Sequence, residues 1–555
     1  MRSPAIWFIA LAVATAGHHT AYASLDRPKD PVILTGSDVS SLIGSGVGNV
    51  VGFRYQGGWQ QIPIQIDERD LVDLDKPYNG SGTGVTAMQY CDSNTYTGAD
   101  SNPLFDGDDE LVFMAFDAGG KASGVEPVGV IAGSGLEIHI TDPIDAGEGY
   151  VYLFRTDGSL DPGAGQQYVN YNFNVIGCSN YLSCYDMGGA NPENSTVTTA
   201  AYSLHFSEMW VHDGLQITVG GSTGTDFLDR QRIALSPNSG YRNEDTFSEG
   251  RGCFIVSRGG PIRALRCFMG SNSGVFNQLN QIFYAQRMDQ ILNHRVHAMY
   301  SASGAFDYTA QAVGMRYHSD VHPGGVTIDG IPDAISTTAS AWEMVTGNHG
   351  TLVIAYLPVI HDIPTLAINT YYTDQEPPSQ KQTSGDTHTY GVHGFWLTGI
   401  PNTDPTLPDP ASHLTAPEVL YFDGPNKAVS DAQTAYQNAS TGLSVAVSPY
   451  EGSLTGVDDL PFGLQAMSIR SYPNPFNPTT QLTFELPVPG HARLAIYDVR
   501  GRHVLTLLDE HLVAGRHEVA WDGRDAEGRR VTSGIYFFHF VSGDHVGWGK
   551  AVLVK

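Results

Sequence analysis

The densest group of side chains that could do chemistry is a short acidic loop. Asp106, Asp108 and Asp109 lie around a glycine, and Asp100 and Asn102 precede them. Calcium takes six to eight oxygen ligands at short range, and an acidic loop that contains glycine supplies several of them. The spacing departs from the EF-hand pattern, and a solvated turn before a strand is the competing interpretation. The sequence therefore predicts a calcium site at Asp106, Asp108 and Asp109.

A second candidate site combines histidines with cationic and phenolic side chains. His294 and His297 are close in sequence to Tyr284 and Arg287. In a polysaccharide lyase, one residue abstracts the proton α to a uronate carboxylate while a cation stabilises the developing charge. These residue types predict a lyase-like site, with ordinary polar residues on a sheet face as the alternative.

A third candidate is the carboxyl group of Glu343. It follows Trp342, and an apolar neighbour raises the pKa of a carboxyl towards the range of a general acid. Glycosidases use two carboxyl groups on opposite sides of the scissile bond. We therefore predict Glu343 as one member of such a pair, but the 58 acidic residues of the chain leave its partner open.

Residues 220–224 read Gly-Gly-Ser-Thr-Gly and match the G-x-S-x-G pattern of a nucleophile elbow. An elbow projects its serine because a strand turns sharply into a helix within an alternating strand and helix fold. The surrounding sequence is typical of strands instead. A serine hydrolase built on Ser222 is accordingly the least favoured of the functions considered.

The cysteines predict disulfide bonds, because an exported protein meets an oxidising compartment. The midpoint between Cys253 and Cys267 is Gly260, in a Gly-Gly-Pro turn, and a hairpin centred there predicts a cross-strand disulfide between them. Cys178 and Cys184 are predicted to close a short loop, which leaves one further cysteine, Cys91. No C-x-x-C pair occurs, which argues against structural zinc and c-type haem.

The N-terminus predicts export. Arg2 precedes an apolar run at residues 6–17 that is too short to span a bilayer, and Ala21 and Ala23 supply a small-x-small cleavage pattern. Residues 1–23 are therefore predicted to be a removable signal peptide. The expected location is extracellular or on the outer cell surface, reached through the periplasm, with no transmembrane segment.

The charge of the chain restricts its partners. The formal net charge is −28, and the region from residue 466 onward contains 10 basic and 9 acidic residues, so nearly all the excess negative charge lies upstream. Nucleic acids and anionic membrane surfaces bind basic patches. The composition thus argues against both as partners.

Alternating apolar residues and frequent turn residues predict an all-β, multi-domain protein. We expect an N-terminal β-sandwich module over residues 24–130 and a large central antiparallel β-sandwich over residues 131–450. A linker at residues 451–465 would then lead to a C-terminal Ig-like sandwich over residues 466–555.

The sequence makes a specific structural prediction for each of two segments of the central region. Residues 278–299 fit either a helix or two strands that meet near Asp289 and Gln290. Residues 400–426 are rich in proline and are predicted to form a surface loop or a trailing segment.

The C-terminal region closely resembles the Ig-like domain shared by flagellar hook-capping proteins and type IX secretion sorting domains. The blocks that carry this resemblance are residues 472–478, 496–502, 521–523, 533–536 and 550–555. The resemblance implies export across the outer membrane by a secretion machinery, followed by release or surface attachment.

The N-terminal region resembles, more weakly, the opening module of uncharacterised secreted bacterial proteins linked to polysaccharide breakdown. Residues 59–68 and 106–119 carry this resemblance. In those proteins the module precedes a large mutarotase-like sandwich, which is what the resemblance implies for residues 131–450.

These observations favour a secreted, surface-sorted protein that binds or processes extracellular polysaccharide. A non-catalytic adhesion or surface-structural protein is the main alternative, and the sequence does not decide whether the protein is an enzyme. Calcium is the one cofactor that the sequence predicts.

Overall fold

The structure is a computed structural model of the chain. It describes residues 24–78, 85–186, 189–237, 242–248, 252–270, 274–295, 299–357, 360–361, 365–378, 385–400, 413–450, 465–466, 469–486, 488–498, 502–542 and 545–554. The predicted signal peptide and nearly all of the predicted linker lie outside the described residues.

Strands account for most of the described secondary structure. The strands of the N-terminal region are β1 (Pro31–Thr35), β2 (Val50–Tyr55), β3 (Trp59–Ile62), β4 (Gln65–Asp67), β5 (Arg69–Asp73), β6 (Thr86–Tyr90), β7 (Glu110–Met114), β8 (Leu136–Thr141) and β9 (Glu148–Arg155). The next strands are β10 (Val169–Asn172), β11 (Ser195–Thr199), β12 (Tyr202–Glu208), β13 (Val211–Ile217), β14 (Leu228–Pro237), β15 (Arg242–Asn243), β16 (Cys253–Gly259), β17 (Ala264–Met269), β18 (Asn277–Phe283), β19 (Arg287–Arg295) and β20 (Met299–Tyr308).

The remaining elements complete the chain. The later strands are β21 (Arg316–Ser319), β22 (Val326–Thr327), β23 (Trp342–Gly347), β24 (Gly350–Tyr356), β25 (Ile360–His361), β26 (Ala367–Thr373), β27 (Tyr390–Thr398), β28 (His413–Asp423), β29 (Ser444–Pro449), β30 (Gln465–Ala466), β31 (Arg470–Tyr472), β32 (Thr480–Leu486), β33 (Gly490–Asp498), β34 (His503–Leu512), β35 (Gly515–Trp521), β36 (Gly534–Ser542) and β37 (His545–Leu553). The α-helices are α1 (Tyr181–Cys184), α2 (Glu244–Ser248) and α3 (Val429–Ser440), and single 3-10 turns occur at Ser40–Leu42, Val47–Asn49, Lys76–Tyr78, Ala115–Asp117, Val219–Gly221, Gly274–Phe276 and Ala310–Ala312. No described helix is both long and apolar enough to cross a membrane.

The chain divides into two compact units. The larger unit extends to Tyr450, apart from two short segments at Gly124–Glu126 and Ile131–Gly133, and the smaller unit includes Glu451–Lys555. Each unit has its own buried core, as expected for separately folding domains.

The N-terminal part of the larger unit is the predicted β-sandwich. A three-stranded sheet (β1-β7-β4) packs against a five-stranded sheet (β29-β8-β9-β2-β3), and apolar residues of both sheets share one core. The five-stranded sheet takes β8, β9 and β29 from beyond residue 130. The sheet therefore continues past the position at which the sequence placed the end of this module.

The central region is a large antiparallel sandwich. Its main layer has ten strands (β16-β17-β18-β19-β28-β24-β23-β21-β22, with β25 beside β28), and the smaller sheets are β15-β14-β20-β27-β26 and β10-β11-β12-β13. One core cluster joins Tyr202, Phe306, Leu352 and Leu420 of these sheets, and all four are nearly fully buried. Burial of apolar residues between sheets is the main force that holds such layers together.

The structure shows the secondary structure of the two segments of the central region for which the sequence made specific predictions. Residues 277–295 form two antiparallel strands, and the turn between them lies at residues 284–286 rather than near Asp289 and Gln290, which belong to β19. Of the surface loop or trailing segment predicted over residues 400–426, residues 401–412 lie outside the described residues, and the prediction is wrong for residues 413–423. Residues 413–423 form β28, which pairs with both β19 and β24 in the middle of the ten-stranded sheet.

A fully buried arginine connects the two regions of the larger unit. The Arg263 side chain contacts Asp67 at 2.8 Å and Glu110 at 2.7 Å, and its backbone N–H donates to Gln65 Oε1 at 3.0 Å. Asp67 and Glu110 are directly paired across β4 and β7. The sequence blocks at residues 59–68 and 106–119 thus meet in space, and the Asp67 and Glu110 carboxylates neutralise one buried cation.

The cysteines form one disulfide bond, between Cys178 and Cys184, as predicted. The predicted bond between Cys253 and Cys267 is wrong, because both are thiols in the structure. The hairpin pairs Cys253 with Met269 and Cys267 with Val256, and a bulge follows Phe254. Gln65 Oε1 accepts from the backbone N–H groups of residues 262 and 263, and the Gly260 N–H donates to the Arg263 carbonyl at 3.0 Å, so the turn is centred between residues 261 and 262 instead of at Gly260.

The C-terminal unit is a small sandwich. A five-stranded sheet (β30-β37-β36-β33-β34) faces a three-stranded sheet (β31-β32-β35). Trp521 is fully buried in the core, and its indole N–H donates to the carbonyl of Arg524 at 3.0 Å. This arrangement of two packed antiparallel sheets agrees with the predicted Ig-like fold.

Candidate functional site

The acidic loop is held together by its own hydrogen bonds. The Asp109 carboxylate, with no exposed surface, accepts from the backbone N–H groups of Arg69 and Asp106. Asp106 accepts from the Asp108 N–H and from Asn102. A hydrogen bond with the Asp106 carboxyl, together with burial, raises the pKa of Asp108 to about 6. Calcium binding at this loop stays a prediction, and within the described ranges no three acidic, histidine or cysteine side chains are arranged around a metal position.

The predicted lyase-like residues are not brought together. Residue 297 lies outside the described residues. His294 and Arg287 are an odd number of positions apart on β19, so they lie on opposite faces of the sheet. His294 is buried and contacts the Asn277 side chain, whereas Arg287 pairs with Asp30 at 2.7 Å and with Asp289 at 2.5 Å.

Glu343 lies at the centre of a buried polar network between two sheets. Its carboxylate accepts from the hydroxyls of Tyr317 at 2.9 Å and Tyr356 at 2.8 Å, and from His393 Nδ1 at 2.7 Å. The other ring nitrogen of His393 contacts the Tyr308 hydroxyl at 2.8 Å. Because the carboxylate can only accept, His393 carries its hydrogen on Nδ1 and Tyr308 donates to Nε2 when the ring is neutral.

Glu418 is a second buried carboxyl group, and its pKa responds to the charge of Glu343. It is 6% exposed and accepts from Gln290 at 3.3 Å. Burial, reinforced by the negative charge of Glu343, raises the pKa of Glu418 to about 8. A polysaccharide chain needs open access to a carboxyl pair, and the side chains of Glu343 and His393 are both 0% exposed. The network therefore joins the sheets, and its burial argues against glycosidase chemistry there.

Ser222 does not have the geometry of a nucleophile elbow. Its hydroxyl donates to the carbonyl of Val219 at 2.8 Å, and the chain continues into strand β14 rather than into a helix. This is the all-β context that made a serine hydrolase the least favoured function.

A groove of about 490 Å³ lies at the edge of the four-stranded sheet, within the range of small-ligand sites. It is lined by Gly163, Gln167, Val169, Asn170, Tyr171, Asn172, Thr196, Thr198, Gly259, Gly260 and Pro261. None of these lining residues is acidic, basic or histidine. The Tyr171 hydroxyl contacts Ser257 at 2.9 Å, and burial raises the pKa of Tyr171 well above its ordinary value, so the phenol stays neutral.

Strand register places the polar side chains of the groove in two rows. Asn170 lies opposite Thr198 and Asn172 lies opposite Thr196, on the solvent face of β10 and β11. Adjacent strands are about 4.8 Å apart, so each row presents an amide beside a hydroxyl. Within the described residues, neither asparagine amide hydrogen-bonds to another protein group. The groove therefore offers free donors and acceptors without charge.

The rows continue across the rest of the sheet. The first row extends through Ser203 of β12 to Gln216 of β13. In the second row His205 follows Thr196, and its ring contacts Asp213 at 2.7 Å. Sequence reasoning missed this face, although its signal is the alternation of apolar residues with uncharged Asn and Thr in β10 and β11.

Comparison with known proteins identifies one family match. Residues 472–544 match the FlgD Ig-like domain. No curated protein matches the chain. The protein is all-β, and the family match at residues 472–544 confirms the Ig-like domain that the sequence predicts at its C-terminus.

Several solved structures are similar to parts of the chain. A galactose mutarotase related enzyme from Lactobacillus acidophilus has 12% identity and a TM-score of 0.22, over 42% of this chain and 98% of that chain. A putative aldose 1-epimerase from Escherichia coli K12 has 10% identity and a TM-score of 0.22, over 46% and 100%. PorZ, a surface component of the type-IX secretion system of Porphyromonas gingivalis, has 9% identity and a TM-score of 0.13, over 70% and 59%. The FlgD Ig-like match concerns residues 472–544 and not the rest of the chain.

Proposed function

We propose that this protein is exported and binds a neutral polysaccharide in the groove between β10, β11 and the turn at residues 259–261. The observation that carries the proposal is the lining of the groove, which contains amide, hydroxyl and glycine residues together with Val169 and Pro261, and no charged side chain.

Sugar hydroxyls both donate and accept hydrogen bonds, and so do the groups in the groove. Asn170 and Asn172 each present two donors and an acceptor, and Thr196 and Thr198 present hydroxyls beside them. A ligand that satisfies these groups replaces water without burying an unpaired charge. The overall charge of −28 also repels anionic polysaccharides. A neutral glycan fits both properties.

Binding without catalysis is the better match to this site. General acid and base catalysis needs a titratable group within hydrogen-bond reach of the substrate, and the groove lining contains no carboxyl or imidazole group. If the protein instead adheres to a non-glycan surface, it should bind no polysaccharide.

Export completes the proposal. The apolar N-terminal run and the Ala21-Tyr22-Ala23 pattern support a signal peptide, and the C-terminal match at residues 472–544 supports handling by an outer-membrane secretion machinery. The protein would then meet its polysaccharide outside the cell or at the outer cell surface.

The proposal is tested by titrating residues 24–555 with a panel of neutral and uronate-containing polysaccharides and measuring heat or fluorescence. The double variant N170A/N172A removes two amides from the groove, and Gln433→Ala is the matched control because Gln433 is an exposed amide on α3. A hydrogen bond contributes about 0.5–1.5 kcal/mol, so the double variant should weaken binding about tenfold.

Two results would contradict the proposal. Equal affinity of the wild type and the double variant would place binding elsewhere, and a preference for uronate-containing chains would contradict the neutral ligand. A protein that binds no member of the panel would favour the adhesion alternative.

A further inference from the structure

A threonine beside the unused G-x-S-x-G serine lies close to a histidine. Thr223 Oγ1 is 2.6 Å from His349 Nδ1, and these residues are 126 positions apart in the sequence. The other ring nitrogen, His349 Nε2, is 3.0 Å from the backbone carbonyl of Gln311. Thr223 is exposed and His349 is half-buried, so a small molecule in solution can reach the hydroxyl.

The carbonyl group determines the state of the histidine ring. A backbone carbonyl only accepts hydrogen bonds, so His349 Nε2 carries a hydrogen. In the neutral ring Nδ1 then has a free electron pair, which accepts the Thr223 hydroxyl hydrogen when the hydroxyl turns towards it. In its other orientation the hydroxyl donates to Thr225 Oγ1 at 2.9 Å. The geometry is that of a hydroxyl paired with a base whose orientation is held by a third group, which is the arrangement of an activated nucleophile.

The loop that presents Thr223 is held in place by its backbone. Gly220 and Gly224 have φ values of 67° and 68°, a conformation that favours glycine. A Cβ atom on Gly220 would come within 3.0 Å of the Gly424 backbone, so this loop packs closely on the segment after β28. The Gly224 N–H donates to the carbonyl of Ile217 at 3.1 Å. The short contact of Thr223 with His349 is therefore built into the fold.

We propose that Thr223 is a nucleophile that His349 activates towards short-chain carboxylic esters. Thr223 Oγ1 forms a bond to the acyl carbon while its proton moves to His349 Nδ1. The bond from the acyl carbon to the alkoxy oxygen breaks, and His349 returns the proton to the departing alcohol. Water then attacks the acyl carbon and gives a proton to His349 Nδ1. The bond from the acyl carbon to Thr223 Oγ1 breaks, His349 returns the proton to Oγ1, and the carboxylic acid is released.

A second contact helps to orient the threonine hydroxyl. The Thr225 backbone N–H donates to Thr223 Oγ1 at 3.3 Å. Ser222, the serine of the sequence pattern, instead donates its hydroxyl hydrogen to the Val219 carbonyl at 2.8 Å. The proposal is independent of the polysaccharide groove, because no residue is shared between them.

The test uses residues 24–555 and p-nitrophenyl acetate, with mass spectrometry of protein quenched in acid to find the acyl group. We expect an acetyl adduct on Thr223 and a rate that falls on the order of 100-fold or more in Thr223→Val and His349→Gln, because general base catalysis contributes about that much. Ser222→Ala should keep both the adduct and the rate.

The variants also separate threonine chemistry from simple imidazole catalysis. A Thr223→Val protein that keeps the wild-type rate, or an acetyl group found only on lysines, would overturn the proposal. Thr223→Ser retains the hydroxyl and should keep the adduct at residue 223, so loss of labelling in this variant would also count against it. Circular dichroism of each variant shows whether the fold is intact.

Discussion

Glu418 shows how one buried carboxyl links the stability of this protein to pH. It is nearly fully buried on β28, and burial with the nearby charge of Glu343 raises its pKa to about 8. In the unfolded chain a glutamate has a pKa of about 4.3. The folded protein thus holds this proton over a pH range in which the unfolded chain has lost it.

The sign of the effect follows from proton linkage. A carboxyl with a raised folded pKa contributes its full stability below the unfolded pKa, and this contribution is lost as pH rises towards the folded pKa. In the wild type this carboxyl should lower the free energy of unfolding by about 1.4 kcal/mol for each pH unit between about pH 4.3 and 8. We predict that Glu418→Gln abolishes this decrease. Urea unfolding of wild type and variant at several pH values measures this difference.

A matched control is available for this prediction. Gln433→Ala changes an exposed amide on α3 and removes no titratable group, so it should leave the pH dependence of the free energy of unfolding close to that of the wild type. Parallel curves for the wild type and Glu418→Gln across this range would show that Glu418 is not protonated in the folded protein.

At the scale of elements, the hairpin of β16 and β17 explains why the cysteines remain thiols. Its register places Cys267 opposite Val256, and Cys253 and Cys267 are at most 1% exposed. Burial also raises the pKa of Cys267 to about 12, which leaves almost no reactive thiolate at neutral pH.

This hairpin yields a prediction about thiol labelling. In the folded protein iodoacetamide should not modify Cys253 or Cys267, and in denaturant without reductant it should modify both of them and Cys91. Cys178 and Cys184 should react only after reduction, because they form a disulfide bond. Peptide mapping by mass spectrometry checks each site, and a peptide pair cross-linked through Cys253 and Cys267 would contradict the observed register.

At the scale of the whole molecule, each of the two units has its own apolar core. The core of the smaller unit includes Phe484, Leu494, Trp521 and Phe540, all from residues 465–554. A fragment with a complete core is expected to fold by itself. The larger unit keeps its cores within the residues that end at Tyr450.

We therefore predict that fragments 24–450 and 465–555 each unfold cooperatively when heated, as measured by circular dichroism. In cells, the protein truncated after residue 450 should fold but stay in the periplasm, because the C-terminal domain is the proposed export signal. Normal surface display of the truncated protein would contradict the export role of the C-terminal domain. A fragment without a cooperative transition would show that its core is incomplete.

Several properties of this protein were determined by its sequence alone. The all-β class, the C-terminal Ig-like domain and the Cys178–Cys184 disulfide were all predictable, because strand alternation, turn residues and a short loop are local features. The position of a turn was less predictable. At residues 277–295 polar residues alternate without a clear break, so the sequence did not show that the turn lies at residues 284–286.

The tertiary structure alone decided which distant side chains meet. Glu343 contacts His393 from 50 positions away, and Thr223 contacts His349 from 126 positions away. The first contact depends on the order of strands in the sheets, which places β23 and β27 on facing layers, and the second joins two connections between strands. Residues of one strand, such as Arg287 and His294, are separated onto opposite faces by the pleat of the sheet.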